Sequence, residues 1–168
     1  SEAVPAGALF VASLPVNNFG KYIRAYRSYL DSKIRLDDFE AELARQKQDF
    51  GQNAEEWGKM LDIKELALVN VTLSDKVQQL LLIRSGNRKI ETGGYRPGFA
   101  RSLFGGIFTA GDEDSCAVAG EWLAIGNAES VKEYSERLAA EGSLHERLSG
   151  NGLSDRLPQK ECGFWAYY

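Results

Sequence analysis

Leu66-Ala67-Leu68-Val69-Asn70-Val71-Thr72-Leu73 and Val77-Gln78-Gln79-Leu80-Leu81-Leu82-Ile83-Arg84 are two apolar runs separated by the polar Ser74-Asp75-Lys76. Aliphatic and β-branched residues suit a pleated, buried surface, and a short polar break between two such runs is a turn signal. The stretch therefore predicts a β-hairpin, with its turn at 74–76, as the centre of the fold.

Upstream, Ala8-Leu9-Phe10-Val11-Ala12-Ser13-Leu14 closed by Pro15 reads as a first strand. Asn17 or Asn18 then caps a helix in which Phe19, Tyr22, Ile23, Tyr26, Tyr29 and Leu30 recur at spacings of three and four. That aromatic stripe reads as core packing, because it shares its face with aliphatic residues. Asp31-Ser32 is expected to loosen the chain before a second helical run carrying Leu36, Phe39, Leu43, Phe50, Trp57 and Leu61, interrupted by Gln46 and Asn53. Asp37 and Asp38 fall in its first turn, where the helix dipole favours negative charge, and Gly51 predicts a break in its middle.

Downstream, residues 85–98 hold Gly86, Gly93, Gly94, Pro97 and Gly98 and read as an irregular loop. A poor strand is expected at 104–109. A second hairpin is expected at 116–125 around Gly120-Glu121. A helix with Val131, Tyr134 and Leu138 follows, with Ser130 and Glu133 in the capping-box pattern and Gly142 at its end. A further turn at 145–148 and an aromatic strand, Gly163-Phe164-Trp165-Ala166-Tyr167-Tyr168, complete the chain. The order β, long α, several β, α, β predicts one α+β domain over 1–168, mainly an antiparallel sheet with helices packed on one face.

Composition narrows the function. The 168 residues are 43% hydrophobic and 26% charged, which excludes disorder as the main state. No run approaches the ~18 apolar residues of a membrane helix. Twenty Lys and Arg against 24 Asp and Glu argue against a general nucleic-acid binder. Cys116 and Cys162 lack metal-ligand spacing; one disulfide and two free thiols both remain open. The start at Ser1, with Met60 the only methionine, and the end on two tyrosines read as a portion of a longer chain.

Catalytic patterns are weak. A Ser-His-Asp or Cys-His arrangement would have to use His145, which sits in the charged helical setting Leu144-His145-Glu146-Arg147 and reads as a solvated surface histidine. Helical neighbours such as Asp37/Asp38 and Glu55/Glu56 point in different directions, and Asp112-Glu113-Asp114 lacks the longer pattern of a calcium loop. Gly93-Gly94-Tyr95-Arg96-Pro97-Gly98 lacks the Lys-Ser/Thr of a phosphate loop. No catalytic residue, metal or cofactor is assigned, and the chain is expected not to be an enzyme. One local bias stands out: Arg84, Arg88, Lys89, Arg96 and Arg101 gather against the single acid Glu91. Arg88, Tyr95, Arg96 and Arg101 are accordingly the candidate ligand-binding residues, suited to a glycan or a small anion. The bland alternative is a solvated loop.

Val4-Pro5-Ala6-Gly7-Ala8-Leu9-Phe10-Val11 followed by a helix resembles the start of an uncharacterised family of exported bacterial proteins, often lipoproteins. Glu121-Trp122-Leu123-Ala124-Ile125-Gly126-Asn127-Ala128-Glu129-Ser130-Val131 is similar to that family's recurring strand, Gly-Asn/Ser, short-helix element. Leu153-Ser154-Asp155-Arg156-Leu157 and the closing strand resemble its next element. The resemblance implies an exported cell-envelope protein, in the periplasm or on the outer surface, with no catalytic residues to carry over. The expected role is non-catalytic binding or assembly. Its partner would be an envelope protein or a glycan, with self-association through 164–168 and no nucleic acid. The alternative is a glycan- or small-anion-binding module built on the basic loop 84–101.

Overall fold

The hairpin lies at the middle of the sheet. A computed structural model of the chain describes residues 2–87, 90, 92–106, 115–150 and 163–166, with 93 and 163–166 described as backbone. Strands β2 (Ile63–Leu73) and β3 (Lys76–Ser85) pair antiparallel from Leu73↔Lys76 to Ile63↔Ser85. The loop is tighter than the three residues expected: Ser74 and Asp75 alone turn the chain, both at positive φ (46° and 61°). Positive φ at both central residues matches the twist of the flanking strands. The carboxylate of Glu133 steadies this turn by accepting from the Ser74 backbone N–H at 2.9 Å and from its hydroxyl at 2.6 Å.

Around the hairpin, β1 (Ala8–Pro15) pairs with β2, and β5 (Trp122–Gly126) pairs with β3. β4 (Ser115–Ala119) forms the second expected hairpin with β5, and β6 (Gly163–Ala166) pairs with β1. The described strands make one sheet in the order β4-β5-β3-β2-β1-β6, antiparallel at every pairing. The α+β class and the antiparallel sheet are as the sequence predicts.

The placement of helices on one face is not. Leu66, Leu81, Ile83, Leu123 and Ile125 join a core with the helices α1 (Phe19–Ser32), α2 (Leu36–Phe50), α3 (Ala54–Leu61) and α4 (Phe99–Phe104). Their immediate neighbours Ala67, Val69, Leu80, Leu82 and Ala124 join a second core with Val131 and Tyr134 of α5 (Ala128–Glu141). Leu144 of α6 (Leu144–Gly150) packs against that second core. Successive strand residues point to opposite faces, so a continuous apolar run such as Leu80-Leu81-Leu82-Ile83 needs cover on both. The domain is three-layered, with four helices on one side of the sheet and α5 with α6 on the other.

Helix ends explain the remaining departures. Asn18 caps α1 by accepting from Lys21 N at 2.8 Å, as expected. Asp31 and Ser32 stay helical, and the break comes two residues later, at Ile34. Gly51, at φ +73°, ends α2, and Asn53 starts α3 with a reciprocal capping box to Glu56. The cap of α5 is Asn127, which accepts from Ser130 N at 2.9 Å. Ser130 is therefore inside the helix, and Glu133 serves the β2–β3 turn instead of reaching back. Phe104 ends helix α4 where a strand was expected to begin, and 107–109 lie outside the described residues. Among the described residues no helix is long and apolar enough to cross a membrane.

Gln46, expected as an interruption of the apolar pattern, is fully buried in the α2–α3–α4 layer. Its Nε2 donates to Glu42 Oε1 (3.0 Å) and Ser102 Oγ (2.9 Å), and its Oε1 accepts from Ala54 N (2.9 Å), an orphan donor at the start of α3. One side chain thus ties three helices. Replacing it with leucine keeps the volume but strands the buried Ala54 N–H. We predict that Gln46→Leu lowers stability by about 1–3 kcal/mol, despite the gain in hydrophobicity. Urea denaturation checks this; an unchanged or raised midpoint would show that the hydrogen bonds contribute nothing net.

Candidate functional site

The described basic residues of the stretch sit on different elements. Arg84 lies on β3 and donates across the sheet to Glu65 Oε2 at 3.1 Å. Tyr95 is 5% exposed, with its ring centroid 5.3 Å from Trp57 and 6.3 Å from Phe99. It pins the loop to the helical core and offers no ring face to a ligand, so it leaves the candidate set. Arg96 is half-buried and its Nη1 donates to the Tyr95 carbonyl at 2.8 Å. Arg88 lies outside the described residues. Among the described candidates, Arg101, exposed on α4, borders a cavity.

That cavity is a cleft of about 560 Å³ between the end of α1, the start of α2 and both ends of α4. Its apolar lining is Tyr26, Leu30 and Phe39, and its charged lining is Arg35, Asp38, Glu42 and Arg101. Gly98 (φ +88°) and Gly105 (φ +67°), which stop α4 at either end, border it without a Cβ. The volume is in the range that holds small organic ligands.

The charges within it differ in what they already bind. Glu42 accepts from Arg45 at 2.9 and 2.7 Å and from Gln46 at 3.0 Å. The Arg45 hydrogen bonds hold its carboxyl below the usual carboxylate range, against the opposing effect of burial. Arg35 and Asp38, three residues apart, form no side-chain hydrogen bond or ion pair with each other or with any described residue. Several cations of the helical layer are paired: Arg27 with Glu40 and Glu55, Arg45 with Glu42 and Asp49, Lys47 with Glu56. Arg35 does reach the cleft electrostatically. Burial pushes the Tyr26 phenol up, and the Arg35 charge pulls it back.

Arg35 is placed by the turn that ends α1. Ile34 N donates to Asp31 O (3.0 Å) and Arg35 N to Leu30 O (2.9 Å), the paired bonds of a Schellman motif. The residue that takes the left-handed conformation in this motif is normally glycine. Here it is Ile34, at φ +55° and 95% exposed. A β-branched residue in that region is strained. Sequence reading had no means to find this site: Tyr26 and Leu30 read as core, Asp38 as a dipole charge, and nothing local marks Ile34 for positive φ.

The other motifs give less. His145 is exposed on α6, and Asp37 and Asp38 are exposed on α2. Asp112, Glu113, Asp114 and Cys162 lie outside the described residues. Cys116 is a half-buried free thiol 3.8 Å from Thr92 O, its pKa pushed up by burial. Among the described residues no three His, Cys, Asp or Glu side chains gather where they could hold a metal ion. Comparison with protein-family models, with curated proteins and with solved structures finds no match to the chain.

Ile34 gives the site a stability signature. Relieving left-handed strain is worth ~1–2 kcal/mol, and the extra freedom of an unfolded glycine takes back ~0.5–1. Its side chain buries almost nothing, so no packing is lost. Ile34→Gly is expected to stabilise the free protein by about 0.5–1 kcal/mol, or about 1–4 °C in melting temperature at this size. Calorimetry that finds a lower melting temperature would refute the strain.

Proposed function

We propose that the chain is a non-catalytic binding domain of an exported bacterial cell-envelope protein, and that the cleft between α1, α2 and α4 is its ligand seat. The observation that carries this reading is the place of Arg35: an exposed guanidinium, bonded to no described side chain, at the edge of an open, partly apolar cavity. In ligand pockets a few polar groups orient the ligand and apolar walls hold it. The envelope setting is supported by the resemblance of the opening segment and of the β5–α5 element to exported bacterial proteins. Relative to the basic-loop alternative, Arg101 stays in the site, Arg96 and Tyr95 leave it, and Arg35, Asp38 and Tyr26 enter.

The test is a thermal-shift panel of sugars, phosphate, sulfate and small carboxylates, run on the protein and on Gly106→Trp. Gly106 borders the cleft, and a Cβ built on it meets no atom within 4 Å, so a large side chain has room to start at the mouth of the cleft. A ligand at 100 times its dissociation constant adds ~2.7 kcal/mol, or roughly 5–10 °C here. The expected result is a shift for one class of ligand that Gly106→Trp abolishes. A panel with no shift, or a shift that survives in Gly106→Trp, would overturn the reading.

Self-association is a second reading that one observation favours. Strand β6 is one of the two outer strands of the described sheet, and its one described neighbour is β1. Unpaired strand edges are templates for a second chain. Sedimentation velocity over a hundredfold range of concentration should then reveal a dimer; a monomer throughout would remove this reading.

A further inference from the structure

We propose that the segment 94–98 is a hinged strap that closes over Trp57 and opens as a unit while the rest of the domain stays folded. Trp57 is fully buried in α3, and its Nε1–H has no hydrogen-bond partner among the described residues. Buried side-chain donors are nearly always bonded, and one left unbonded forfeits the hydrogen bonds it would make to water. The indole edge that carries this N–H lies against the strap. A Cβ built on Gly94 would stand 3.7 Å from Trp57 Cδ1, the ring atom next to Nε1, and 3.2 Å from Met60 Cε. Lifting the strap brings water to that edge. The orphan donor therefore weights the closed position against the open one, by roughly tenfold to hundredfold.

The strap has the make-up of a hinged panel. Tyr95-Arg96-Pro97 is stiff, because proline fixes its own φ and restricts the residue before it to extended conformations. A glycine stands at each end, and Gly98, at φ +88°, already uses freedom that other residues lack. The backbone bonds from Tyr95 N to Thr92 O and from Phe99 N to Arg96 O, each 3.1 Å, are local, so breaking them disturbs neither the sheet nor α1 to α3. The Tyr95 ring works the other way: at 5.3 Å from Trp57 and 6.3 Å from Phe99, it holds the strap shut. Opening uncovers the faces of Trp57 and Phe99 that Tyr95 covers. They then join Phe50, 6.1 Å from Phe99 and 40% exposed, and Met60, 46% exposed, in one apolar surface that the closed domain shows only at its margin.

Hydrogen exchange at the assigned indole N–H of Trp57, followed by NMR on the protein and on Gly94→Ala, tests this. The protection factor of the indole N–H is expected to lie at least a hundredfold below those of the Leu81 and Leu82 amides in β3. It is also expected to stay constant as urea is raised below the unfolding transition, which marks a local opening. Gly94 lies outside the left-handed region, and an alanine Cβ there presses only on the flexible end of Met60, so the substitution removes hinge freedom and keeps the fold. Gly94→Ala is expected to raise the protection of the indole N–H at least threefold and to leave the β3 amides unchanged. An indole N–H as protected as those amides, or one whose protection falls with urea alongside theirs, overturns the proposal. So does a Gly94→Ala variant in which the protection of Trp57 is the same or lower.

Discussion

Everything in this domain is arranged around a hairpin that is apolar on both faces. In β3, Leu80 and Leu82 point to one side of the sheet and Leu81 and Ile83 to the other, and all four are fully buried. Each such side chain contributes roughly 1.5–3 kcal/mol when removed from water, so neither face can be left open. The chain meets this demand with two separate covers. The long excursion between β1 and β2 supplies α1 to α3 for one face, and α5 crosses the other after β5. Tyr134 secures the second cover: it is fully buried, and its hydroxyl donates to Ala3 O at 2.7 Å, closing the N-terminal segment over that core.

The two covers differ in how they are held, and the difference places the cleft. Packing on the α5 side is mostly apolar. The four-helix side contains a polar framework: Gln46 joins α2, α3 and α4, and Arg27 of α1 bonds Glu40 of α2 at 2.7 Å and Glu55 of α3 at 2.6 Å. Glu55 is largely buried, and Arg27 holds its carboxyl below the usual carboxylate range. Directional bonds fix the helices at a set distance where apolar contact alone would let them close together. The α1–α2–α4 junction keeps a gap of about 560 Å³ beside this framework, with Ser102, a partner of Gln46, on its wall.

Local signals in the sequence were legible where the physics is local. Asn18 caps α1, Gly51 ends α2 and Gly142 ends α5 because each needs only its nearest residues. The two hairpins follow from apolar runs flanking short polar breaks. Even the two-sided burial was written in Leu80-Leu81-Leu82-Ile83, since an unalternating run is the mark of a strand covered on both faces. Non-local effects were not legible. The Ser130-Glu133 pattern suits a capping box, but Asn127 takes the Ser130 N–H and Glu133 bonds a turn 59 residues away. Arg84, Arg96 and Arg101 are close in sequence, yet they fall on a strand, a loop and a helix, each with its own surroundings.

Ile34 is where the local rules fail most plainly, and the failure has a direction. The turn between α1 and α2 needs one residue in the left-handed region, and glycine would supply it without strain. The conformation, and with it the position of Arg35, would be the same. What isoleucine adds is only its side chain, and that side chain touches almost nothing in its own fold. It therefore carries two costs, backbone strain and exposed apolar surface, with no internal contact to offset them. What holds the conformation is the turn itself, whose two backbone hydrogen bonds to Asp31 O and Leu30 O form with any side chain at 34.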